Sequence, residues 1–117
     1  MREQVRDINR LIHIYEACRV LQERSSTDTI ELLDSDPIKF YGYVKLVEII
    51  GEATYKLSKE YRDQHSEIPW KMMEGMRHVL VHDYFCISTS KLWSTVTDDI
   101  PPLATQIKRL IDENNNA

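Results

Sequence analysis

Cysteine is scarce in this chain. Cys18 and Cys86 are the only two in 117 residues and form no CxxC pair, which excludes the disulfide-dense frameworks of small secreted proteins and makes a reducing cytosol the natural setting. Glycine and proline are scarce too, at three and four residues, too few for the many tight turns of an all-β protein. Long apolar runs are missing. The opening MREQVRDINR lacks the apolar stretch of a signal peptide, and no later run is long enough to span a bilayer, so the chain reads as soluble and cytoplasmic, with no membrane role. An excess of positive charge is missing as well. Fifteen Lys and Arg against nineteen Asp and Glu leave a formal net charge of −4, so any nucleic-acid binding must rest on a local basic patch or on a composite surface.

What is present points to helices. With 42% hydrophobic and 29% charged residues the chain has the composition of a folding domain, and residues 1–117 fit a single one. Val5, Ile8, Leu11, Ile12, Tyr15, Cys18 and Leu21 recur at three- and four-residue steps and predict a helix from about residue 3 to 24. The polar stretch from Arg24 to Asp28 reads as a turn into a short apolar segment, Thr29 to Leu33. Asp36-Pro37 is a helix-start signal, a capping carboxylate before a proline at the first helical position. Ile38, Tyr41, Val44, Leu46, Val47, Ile50, Ala53, Leu57 and Tyr61 continue that helix to about residue 63. Gly51 sits in its middle beside Ala53, where glycine costs about 1 kcal/mol relative to alanine, so close approach of another helix is the expected compensation.

A second start signal, Ser66 to Pro69, precedes Trp70, Met73, Met76, Leu80 and Tyr84, which share one helical face. Ser88-Thr89-Ser90 then supplies capping hydroxyls to Leu92, Val96, Ile100, Leu103, Ile107 and Leu110, a helix to about residue 112. Pro101-Pro102 should kink or break it, and the tail from Glu113 to Ala117 should fray. The sum is an all-α, up-and-down bundle of four to five helices.

Chemistry concentrates between Gly75 and Phe85, where Arg77, His78, His82 and Tyr84 lie close together with Glu74 just before them. An imidazole can take the proton from a ribose 2′-hydroxyl while a guanidinium stabilises charge gathering on the phosphate, so Arg77 with His82 suits RNA cleavage without a metal. On an ideal helix the two are about 140° apart, too far round to converge directly, and a symmetric partner would bring two such seams together. The bland readings are a solvated histidine, an ion-paired arginine and, for Tyr84, a core ring with its hydroxyl in water. His78 and His82 also have the i, i+4 spacing of two zinc ligands, but no glutamate follows the first and no third ligand is evident. Glu48 and Glu52 make a carboxylate pair one turn apart that fits surface ion pairing better than acid–base work. Tyr15, Tyr41, Tyr43, Tyr55 and Tyr61 could stack bases, yet their spacing fits core or interface packing.

Glu48-Ile-Ile-Gly-Glu-Ala53, Glu67-Ile-Pro-Trp70, the Gly75–Phe85 segment and the Trp93 to Pro101 region, in this order and over most of the chain, resemble the HepT-like branch of the HEPN superfamily. These are small toxins paired with minimal nucleotidyltransferase antitoxins, and the central match is Arg-x4-His-x-Tyr, filled by Arg77, His82 and Tyr84. The resemblance implies a four-to-five-helix HEPN fold, a homodimer with the Arg and His elements facing across its interface, and an RNA endonuclease that needs no metal or other cofactor. Arg77 and His82 inherit the catalytic roles, with His78 and Glu74 as supporting or RNA-contacting residues. It also implies that the nucleotidyltransferase partner moves AMP from ATP onto Tyr84, where bulk and negative charge would exclude RNA. Two positions depart from the family pattern: His78 stands where asparagine is frequent, and the usual arginine ahead of the long helix's apolar stretch is not apparent around Tyr41 to Lys45. The alternative is a non-catalytic helical module that binds a nucleotidyltransferase or a nucleotide.

Overall fold

A computed structural model describes residues 2–78 and 88–116. The all-α expectation holds: among the described residues every regular element is helical. They are α1 (Arg2–Ser25), α2 (Ile30–Ser35), α3 (Pro37–Tyr55), α4 (Lys59–Gln64), α5 (Trp70–Gly75), a 3₁₀ turn at Met76–His78, α6 (Thr89–Ser94), a π turn at Thr95–Asp99, and α7 (Ile100–Asn116). None of these helices is long and apolar enough to cross a membrane.

Helix α1 is the hub and packs against both α3 and α7. Its buried stripe of Leu11, Ile14, Cys18 and Leu21 meets Val44, Val47 and Ile50 of α3 and Leu103, Ile107 and Leu110 of α7. Each such Leu or Ile, removed from water, contributes about 1.5–3 kcal/mol. Burial pushes the Cys18 thiol up to about 12, so it stays protonated and inert as a core-filling group.

The helix predicted to run from Asp36 to residue 63 divides. It starts as expected, with Asp36 accepting from the Ile38 and Lys39 amides at 3.0 and 3.3 Å, but stops at Tyr55. The reason is a tertiary contact. Asp7 of α1, only 4% exposed, accepts from the Ser58 amide at 2.9 Å and from its hydroxyl at 2.7 Å, while the same hydroxyl caps α4 by accepting from Tyr61 N at 3.1 Å. A carboxylate taking two such donors holds the chain in a turn where periodicity alone would continue the helix.

The proline pair produces no break. The Ile100 amide bonds to the Thr95 carbonyl, one residue farther back than in an α-helix, and the widened turn passes the chain to α7. The tail is helical to Asn116, tied by Lys108–Asp112 at 2.7 Å and Arg109–Glu113 at 3.1 Å.

A second polar clasp closes the α1–α2 loop. The Tyr43 hydroxyl donates to Asp28 at 2.8 Å and Lys39 Nζ pairs with its other oxygen at 3.1 Å, and these two partners hold the Asp28 carboxyl below the usual carboxylate range. A carboxyl depressed in the folded state stabilises above its unfolded value of about 3.9, and that contribution is lost as pH falls through the folded value. Asp28→Asn is therefore expected to cost roughly 1–3 kcal/mol at neutral pH. The gap to wild type should narrow on acidification below about pH 4, read from urea melts at both pH values.

Candidate functional site

The site is assembled from the indole of Trp70 outward. Its Nε1 donates to the backbone carbonyls of His65 at 2.8 Å and Arg62 at 3.2 Å, which anchors the start of α5 although Pro69 offers no side-chain cap. Trp70, Met73 and Met76 face the core, as their spacing requires. Glu74 turns the other way and pairs with Arg62 of α4 at 3.0 Å, joining the two short helices that precede the reactive residues.

After Gly75 the backbone tightens into the 3₁₀ turn that carries Arg77 and His78. Rotation there is about 120° per residue instead of 100°, so an angle counted on an ideal α-helix does not carry through this turn. His82 and Tyr84 lie outside the described residues, as does most of the face predicted to continue from Met76.

Gly51 explains how the turn is seated. A Cβ built at Gly51 would lie 2.1 Å from the Arg77 amide nitrogen, 2.7 Å from the Met76 carbonyl carbon and 2.8 Å from the Arg77 Cα. The mid-helix glycine thus admits backbone against backbone, the close approach its position predicts, and the element it admits is the one that bears Arg77.

One turn along α3 from Gly51, Tyr55 takes the other end of the residue. The Arg77 Cζ lies 3.5 Å from the centroid of the Tyr55 ring, and Arg77 Nε donates to His78 Nε2 at 3.4 Å, a bond that requires the Nδ1–H tautomer of His78. These contacts use the flat face and the Nε of the guanidinium. No described residue takes the Nη1 and Nη2 edge, the edge that grips phosphate oxygens in pairs.

The structure therefore brings Arg77, His78 and Tyr55 together, with Glu74 one turn earlier in an ion pair. Of the core or interface packing that its spacing fits, Tyr55 departs from the first, being 48% exposed. The signal that finds it is its place four residues after a glycine that must meet another backbone. Glu48 and Glu52 pair with Lys45 at 2.8 Å and Lys56 at 3.8 Å, surface ion pairs as their spacing favours. As to zinc, no three His, Cys, Asp or Glu side chains gather among the described residues, and His82 lies outside them.

Comparison with known proteins places this geometry in context. The profile described as ribonuclease HepT-like matches residues 14–110. A protein of Caldanaerobacter subterraneus subsp. tengcongensis, named as a candidate RNase, is 39% identical over 103 residues, covering 88% of this chain and 92% of that one. A protein named probable ribonuclease HepT, from Thermococcus cleftensis, is 34% identical over 97 residues, 83% of this chain and 88% of its own. A candidate RNase of Methanocaldococcus jannaschii is 32% identical over 89 residues, 76% and 81% of the two chains. No solved structure matches significantly.

Proposed function

Because the chain belongs to the HepT-like ribonuclease family and folds as an all-α bundle of HEPN type, we propose that it is a metal-independent RNA endonuclease in which Arg77 and His82 cleave the phosphodiester. The observation that carries this reading is the presentation of Arg77: its backbone is seated on Gly51, its flat face lies on Tyr55, and no described residue takes the Nη edge that would grip a phosphate.

In this reading the His82 imidazole removes the proton of a ribose 2′-hydroxyl. The 2′-oxygen attacks the adjacent phosphorus, the bond to the 5′-oxygen breaks, and that oxygen takes a proton from water to leave as a free hydroxyl, while the proton held by His82 returns to the solvent. The products are a 2′,3′-cyclic phosphate and a 5′-hydroxyl end. Arg77 stabilises the charge gathering on the non-bridging oxygens. His78, bonded to Arg77 Nε, and Glu74, bonded to Arg62, support the arginine and its helix.

The wider reading is that residues 1–117 act as one domain in a homodimer whose Arg and His elements face each other. The protein is then the cytoplasmic toxin of a toxin–antitoxin pair. A minimal nucleotidyltransferase partner silences it by transferring AMP from ATP to Tyr84, with release of pyrophosphate, placing a phosphate charge beside the cleavage site. The Arg77-x4-His82-x-Tyr84 spacing supports this part, together with the family match.

The test is cleavage of a mixed cellular RNA pool in EDTA by purified wild type and by His82→Ala, with product ends mapped and intact masses recorded. Wild type should leave cyclic phosphate and 5′-hydroxyl ends, and the variant should leave the RNA whole. A folded, unmodified wild type that cuts nothing would instead favour a non-catalytic module that binds a nucleotidyltransferase or a nucleotide. Inactivity with the mass of a bound AMP would point to the Tyr84 switch.

A further inference from the structure

We propose that Tyr55 is a positioning residue for Arg77, its ring acting as the platform that fixes the guanidinium for phosphate; the proposal rests on the catalytic reading of Arg77. An arginine side chain has several rotatable bonds, and holding it in one pose costs rotamer freedom that the site must offset before substrate arrives. Here both ends are fixed from one helix. Gly51 meets the Arg77 amide and Cα, so the residue starts from a determined point, and Tyr55, one turn on, takes the Cζ at 3.5 Å.

The chemistry of the contact matters as much as its place. A carboxylate here would fix the guanidinium more strongly, but it would occupy the Nη edge and cancel the charge meant for the phosphate. A ring holds the cation through its face, so the N–H edge and the net charge both remain available. His78 completes the orientation by accepting from Nε, the one donor not on that edge. Tyr55 is half in solvent, 48% exposed, which is large for a ring whose role were core packing, so little of the fold depends on it.

Three variants separate the possibilities in one assay, single-turnover cleavage of an RNA that wild type cuts. Tyr55→Leu keeps the apolar bulk but removes the π face, and is expected to lower the cleavage rate about 3- to 30-fold with substrate affinity little changed. Tyr55→Phe keeps the face and should restore most of the rate, which a role for the hydroxyl would not allow. Arg77→Ala tests the underlying reading. If it is inactive while Tyr55→Leu cleaves like wild type, the platform is refuted and the catalytic arginine stands. If Arg77→Ala cleaves like wild type, both fall. A measurement independent of activity is the ring-current displacement of the Arg77 side-chain proton resonances, expected in wild type and Tyr55→Phe and lost in Tyr55→Leu. Its absence in wild type would overturn the platform.

Discussion

Arg77→Ala should leave a folded protein that cleaves RNA about 10²- to 10³-fold more slowly, the loss typical of removing one donor aimed at transition-state charge. The effect should fall on the rate of the chemical step more than on RNA affinity, since charge on the phosphate grows as the 2′-oxygen attacks. Arg77→Lys should recover little. An ammonium keeps the charge but gives up the planar fork and the flat face that meets the Tyr55 ring at 3.5 Å. Folding should survive either change, because the tight seat at Gly51 is made by the Arg77 backbone and the Tyr55 ring that meets its side chain is half exposed. Single-turnover kinetics beside thermal melts check both halves, and an Arg77→Ala enzyme within a few-fold of wild type would remove the arginine from the mechanism.

Gly51→Ala is expected to destabilise the fold by about 1–3 kcal/mol, although alanine is the better helix former by about 1 kcal/mol. The added methyl would lie 2.1 Å from the Arg77 nitrogen and under 3 Å from two more backbone atoms, and none of these can swing aside as a side chain would. Either α3 and the 3₁₀ turn separate or the turn is rebuilt, and both outcomes move Arg77. Cleavage should therefore fall together with stability. The control lies on the same helix: a Cβ at Gly42 meets nothing within 4 Å, so Gly42→Ala should gain a fraction of the propensity difference and leave cleavage unchanged. Melting curves of the two variants decide the matter, since equal behaviour would mean that the contact at position 51 is not tight.

The helical layout was legible because apolar spacing reports which face is buried. Leu11, Cys18 and Leu21 fall in the core as their periodicity requires, whereas Val5 and Ile12, read on the same face, are exposed and Ile14 is buried in their stead; Asp36 caps the helix that Pro37 begins. Gly51 was legible in part: a glycine in mid-helix implies a close neighbour without saying which. The division of the long helix was not legible, because it depends on Asp7 reaching Ser58, 51 positions away, and nothing local distinguishes Leu57-Ser58 from a continuing turn. Of the kink or break expected at the proline pair, the break is absent, and the chain passes through a widened turn in which the Ile100 amide bonds to the Thr95 carbonyl. The contact of Tyr55 with Arg77 was not legible, because it depends on what lands on Gly51. The Arg77-x4-His82-x-Tyr84 spacing was the strongest chemical signal in the chain, and the described structure bears on its first member alone.

The seat at Gly51 also governs how such an enzyme can decay. What Gly51 touches is the main chain of residue 77, which is the same whatever side chain a codon change places there. On the proposed catalytic reading, a single codon change that removes the arginine would abolish cleavage and leave the architecture whole. Position 51 offers no comparable exit, because any side chain there disturbs scaffold and chemistry at once.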